Sequence, residues 1–151
     1  MTLCPCGSGQ GYERCCQPLH QRQQIAQSPE QLMRSRYSAY VLAQAQYLLD
    51  THHPEYRGDL TVETLAQACA ETRWARLELL STPPASQDVG YVEFKAWYYQ
   101  GDRLAAMHER SRFCRDQGQW RYCDGQFDPK PAGRNAPCVC GSGKKFKRCC
   151  G

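Results

Sequence analysis

Long apolar runs are missing from this chain. Its mean hydropathy is −0.71, and no stretch approaches the roughly 20 consecutive apolar residues of a membrane-spanning helix, so a soluble protein is expected. The opening Met-Thr-Leu-Cys-Pro-Cys lacks a basic segment followed by an apolar run. Without that secretory pattern, a reducing, cytoplasmic setting is the expectation. No His stands at ligand spacing from Cys or Asp, which argues against a catalytic metal. A phosphate loop is missing too: Gly141-Ser142-Gly143-Lys144-Lys145 has Cys138 where such a loop needs its first Gly, and Lys145 where it needs Ser or Thr. A length of 151 residues leaves room for one ordinary domain with small appendages, and none for a large enzyme.

Cysteine is what the chain has in excess. There are 11, and eight of them form one pattern that occurs twice, as Cys4, Cys6, Cys15 and Cys16 near the start and Cys138, Cys140, Cys149 and Cys150 at the end. The copies share Cys-Gly-Ser-Gly, an aromatic (Tyr12 or Phe146) and an arginine (Arg14 or Arg148). Four thiols at this spacing suit a tetrahedral zinc, which takes sulfur ligands at about 2.3 Å. The Gly-Ser-Gly step gives the sharp backbone turn and can aim amide N–H groups at thiolates. Each knuckle is too short for a core, so metal binding has to supply its folding energy, and without metal each end should be disordered. Disulfides are the rival reading, weakened by the odd cysteine count; a redox-active vicinal pair at Cys15-Cys16 or Cys149-Cys150 is another. Two structural zinc sites are preferred.

The formal charge of +4 treats every cysteine as neutral. A zinc held by four thiolates carries a net charge of −2, and two such sites bring the total to about zero. Net charge is therefore no argument for nucleic acid. Its distribution says more: Lys144, Lys145, Phe146, Lys147 and Arg148 make the second knuckle basic, whereas the first has Gln10, Gly11, Glu13 and Arg14. The basic cluster is a candidate partner-binding surface, with a merely solubilising terminus as the bland reading and RNA contact as a weaker alternative.

Between the knuckles, the pattern is that of a globular domain. Ser28-Pro29-Glu30-Gln31 reads as a helix start, and apolar positions at Met33, Tyr37, Tyr40, Val41, Tyr47 and Leu48 carry the helix toward Asp50. A second helix is expected from Thr61 to about Thr72, with Cys69 as a small core residue. Beyond Arg73 the period becomes alternating. Four strands are expected: Trp74 to Ser81, Tyr91 to Tyr99, Leu104 to Arg115 and Trp120 to Asp124, with turns at Gly101-Asp102 and Asp116 to Gln119. This is an α+β domain with an antiparallel sheet. Alternation puts Met107, Glu109, Ser111 and Phe113 on one face, so Glu109 points toward the core. A buried Glu has to be paired, hydrogen-bonded or protonated. The structural reading makes it an ion pair with Arg34 or Arg36 of the first helix. The functional one makes it a pocket acid or base, helped by Asp124, Tyr122, His53 or Arg36. The ion pair is preferred, and a binding protein is preferred over an enzyme.

The cysteine pattern C-x-C-G-S-G-x5-C-C resembles the SEC-C motif, the zinc knuckle at the C-terminus of the SecA translocation ATPase; the positions matching all eight cysteines above are metal ligands in that family. The element order resembles the NTF2-like cone, a curved sheet wrapped around helices. Leu32 to Tyr40, His53-Pro54, His108 to Phe113 and Trp120 to Gly125 resemble the blocks of the YchJ family of bacterial proteins. The resemblance implies an NTF2-like core at 28–128 between knuckles at 1–18 and 138–151, joined by a proline-rich linker at 129–137 that could extend roughly 30 Å at about 3 Å per residue. It also implies protein partners such as an export chaperone like SecB, the translocation machinery or the ribosome. The leading expectation is a zinc-dependent adaptor with two contacts for avidity. The alternative is an enzyme or small-ligand carrier using the cone around Glu109.

Overall fold

In the computed structural model, a 3-10 turn at Tyr12–Arg14 leads into a short helix, α1 (Gln17–His20), then α2 (Pro29–Val41), α3 (Ala45–Asp50) and α4 (Val62–Glu71). Four strands follow: β1 (Trp74–Ser81), β2 (Val89–Gln100), β3 (Arg103–Asp116) and β4 (Gln119–Phe127). The structure describes residues 2–128, so the expected linker and second knuckle lie outside the described residues. Among the described residues, no helix is long and apolar enough to cross a membrane.

Local chemistry sets the helix starts. The Ser28 hydroxyl accepts the Gln31 N–H at 3.1 Å, with Pro29 in the first helical position. Thr61 and Thr64 cap α4 reciprocally. The long helix expected to reach Asp50 breaks in two. It ends at Val41; Ala43 adopts φ 58, and the Gln44 N–H returns to the Ala39 carbonyl at 2.8 Å. That six-to-one closure around a left-handed residue is a Schellman stop, here built on alanine instead of the usual glycine.

The strands form an antiparallel meander in the order β1-β2-β3-β4. Gly101 (φ 66) opens the β2–β3 hairpin, and Gln117 and Gly118 (φ 53 and 80) make the β3–β4 turn, the positive-φ pair that matches strand twist. Register shifts in β1 and between Arg112 and Phe113 help the sheet to curl. Its concave face packs Val92, Phe94, Ala96, Phe113 and Trp120 against Leu32, Met33 and Tyr37 of α2. A second apolar layer joins Leu19, Ala39, Tyr47, Leu48, Leu65 and Cys69 behind α2. Cys69 is a core residue, as its helical position implies.

Candidate metal centre and cone cavity

Cys4 follows the bridge residue Leu3, Cys6 lies in the turn after it, and Cys15 and Cys16 follow the 3-10 turn. An isolated bridge between Leu3 and Gly11 closes the loop between them, while Gly7 (φ 79) and Gly9 (φ 86) supply the left-handed steps. The four sulfurs converge within 4.8 Å of one another; Cys6 to Cys15 is 3.6 Å and Cys15 to Cys16 is 3.9 Å. A tetrahedron of ligands 2.3 Å from a zinc has edges of about 3.8 Å, so this donor set fits such an ion. The proton balance fits as well. Hydrogen bonds from Cys16 and then Cys4 push the Cys6 thiol far down, hydrogen bonds with Cys4 and then Cys6 push Cys16 far up, and burial raises Cys15 to about 11. Four thiols in mutual contact are a donor set that could give up protons to a divalent cation. The Ser8 hydroxyl stands 3.2 Å from Cys15, and the Ser38 hydroxyl stands 3.4 and 3.3 Å from Cys4 and Cys16.

Ser38 belongs to α2, so the cysteine cluster is seated on the body. Arg34, also on α2, donates to the Cys6 carbonyl at 2.8 Å. The Tyr12 hydroxyl bonds His20 Nδ1 at 2.7 Å, and His20 Nε2 donates to the Ser35 carbonyl at 2.8 Å. Burial lowers the His20 pKa, which keeps Nδ1 free to accept from Tyr12.

The second feature is a cavity of about 260 Å³ inside the cone, between α2, α4 and the sheet. Its walls include Tyr37, Tyr40, Trp74, Phe94 and Met107, with the Trp74 Nε1 buried and without a hydrogen-bond partner among the described residues, and its polar side chains include Arg36, His52, Glu109, Ser111 and Tyr122. Glu109 is 5% exposed. Its Oε2 accepts from Ser111 Oγ at 2.7 Å and from the Tyr122 hydroxyl at 2.8 Å. Burial and then the Glu109 charge push the Tyr122 phenol far up, so it stays a donor. The bulge at Arg112/Phe113 is what makes this possible. It pairs Ser111 with Gly125 and Phe113 with Tyr122, so two β4 residues three apart both serve the concave face. Gly125 leaves room for the Glu109 carboxylate in this position: a Cβ there would lie 2.6 Å from its Cδ, and the carboxylate would have to move.

Comparison with known proteins agrees with this geometry. Residues 28–125 match the family described as YchJ, middle NTF2-like domain, and residues 2–18 and 134–151 match the SEC-C motif. A UPF0225 protein of Shewanella sp. (strain MR-4) is 49% identical across 97% of this chain and 94% of its own length. One from Vibrio cholerae is 41% identical across 98% and 99%. The chain belongs to the YchJ-like family. A SEC-C motif containing protein from Rhodopseudomonas palustris, solved in solution, superposes with a TM-score of 0.76 at 37% identity, covering 82% of this chain and 96% of that one. The crystal structure of a SEC-C motif containing protein from Psychrobacter arcticus gives 0.73 at 35%, covering 97% and 94%.

The YchJ-like fold brings together some of the expected pocket residues and separates others. Glu109, Tyr122 and Arg36 line the cavity. Asp124 does not: it is exposed on the outer face, bonded to Arg112 at 2.9 Å. His53 caps the 3-10 turn at Pro54–Tyr56, its Nδ1 accepting the Glu55 N–H. The expected ion pair of Glu109 with Arg34 or Arg36 is not formed. Arg34 is taken by Glu30 at 3.1 Å and by the Cys6 carbonyl. Arg36 donates to the Leu48 carbonyl at 2.8 Å and to Thr51 Oγ1 at 2.7 Å, its guanidinium 4.8 Å over the Tyr122 ring. His52 joins the cavity wall through a bridge to Tyr122 and donates from Nε2 to the Tyr56 carbonyl at 3.0 Å. Burial and then the Arg36 charge lower its pKa to about 4. The neighbouring His52-His53 pair carried no sequence signal that one faces in and the other out.

Proposed function

We propose that this protein is a zinc-binding accessory protein of the bacterial cytoplasm, in which the N-terminal knuckle is structural and the C-terminal one contacts a protein partner. The observation that carries the reading is the convergence of four cysteine sulfurs within 4.8 Å, anchored to α2. Zinc would be held by Cys4, Cys6, Cys15 and Cys16, and it would supply folding energy there and no reaction step. Thiolate ligands need a reducing compartment. The repeat supports a second site at Cys138, Cys140, Cys149 and Cys150.

The two copies differ where docking occurs. Tyr12 spends its hydroxyl on His20, whereas its counterpart Phe146 has none. The second copy instead carries Lys144, Lys145, Lys147 and Arg148. An acidic surface on an export chaperone, the translocation machinery or the ribosome is the partner class this chemistry fits. Affinity capture with the zinc-loaded wild type and with Cys149→Ser tests the assignment. Partners specific to the wild type are expected; the same partners recovered with both proteins would sink it.

A further inference from the structure

Glu109 is a buried carboxylate with half of its bonding unfilled. Oε2 accepts two hydroxyl hydrogen bonds, from Ser111 and Tyr122, while Oε1 has no hydrogen-bond partner among the described residues. Nor does any Lys, Arg or His nitrogen there come within 4.0 Å of the carboxylate. Oε1 is not sealed in the interior but opens on the cavity, where two neutral donors leave the carboxylate able to take a positively charged partner. The other charge on the cavity wall is already compensated. Arg36 is bound by the carbonyl at the C-terminal end of α3 and by the Tyr122 face, both favourable to a cation. His52 carries no charge at neutral pH. Gly125 keeps space open for the carboxylate at the cost of a side chain, and the serine, tyrosine and bulge around it hold the carboxylate in one orientation.

Tyr37, Tyr40 and Trp74 present aromatic surface to the same 260 Å³ space, with Phe94 and Met107 beside them. Aromatic faces attract cations electrostatically, and apolar walls take a hydrocarbon body. We propose that the cone cavity binds a small organic cation, a protonated amine pairing with Oε1 of Glu109 while its apolar or aromatic body lies against Trp74, Phe94 and Met107. The cavity shares α2 with the first knuckle, but none of the four cysteines lines it.

Three probes that share a ring and differ in head group test this: benzylamine, benzyl alcohol and benzoate, titrated by calorimetry into the full-length, zinc-loaded protein at neutral pH. Benzylamine is expected to bind at least tenfold more tightly than benzyl alcohol, and benzoate most weakly. Glu109→Gln should remove the preference for the amine, while Asp124→Asn, on the outer face, should leave it intact. Because the three probes are compared on the wild type, the test stands even where Glu109→Gln fails to fold. Equal binding of amine and alcohol would overturn the proposal, as would tighter binding of benzoate. So would loss of the preference in Asp124→Asn, or no binding of benzylamine at millimolar concentration.

Discussion

Tyr12 and Phe146 hold the same place in the two cysteine repeats and differ by one hydroxyl. In the first copy that hydroxyl reaches His20, and His20 passes the connection to the Ser35 carbonyl on α2. Tyr12→Phe should therefore loosen the knuckle's seat and leave its ligands alone. The expected loss is about 1 kcal/mol in urea unfolding, with zinc content unchanged. His52 makes a second test at this scale. An unfolded chain protonates it near 6.5 and the folded one only near 4, so between those values the unfolded state binds more protons. Its contribution is full above pH 6.5 and declines as pH falls toward 4, a loss on the order of 2 kcal/mol. Comparing urea midpoints at pH 7 and pH 5 should show a smaller drop for His52→Gln than for the wild type; parallel drops would refute the assignment.

At the scale of elements, local chemistry was legible wherever side chain and backbone agree. Ser28-Pro29 and Thr61 mark helix starts that form as read, and the four strands fall where alternation puts them, with β2, β3 and β4 running one to three residues further at their ends. The break after Val41 was hidden because the left-handed stop is Ala43, a residue with no turn signal. Ala43→Gly should relieve that strain and raise stability by about 0.5–1 kcal/mol in thermal or urea unfolding; an unchanged or lowered midpoint would mean the stop is unstrained. The burial of Glu109 was readable from alternation, but its partners were not. They depend on a bulge that shifts β4 by one residue, so Tyr122 and Gly125 meet the carboxylate and Asp124 turns outward. The arginines that could have paired with it were drawn off by groups distant in sequence, the Cys6 and Leu48 carbonyls.

For the whole molecule, the cysteine repeat was the most legible feature because metal ligation is written in spacing alone. What spacing could not give is the seating of the first knuckle on α2, which makes the N-terminal site part of the body. Loss of that site should be felt through the domain, whereas its basic twin is the one assigned to a partner. The most direct measurement is zinc per chain by elemental analysis on the wild type, Cys16→Ser and Cys149→Ser, each purified under reducing conditions, alongside its thermal midpoint. Two, one and one are expected, with the midpoint of the body lowered in Cys16→Ser and unmoved in Cys149→Ser. A wild type without zinc, or a Cys16→Ser variant that keeps both its zinc and its midpoint, would contradict that expectation.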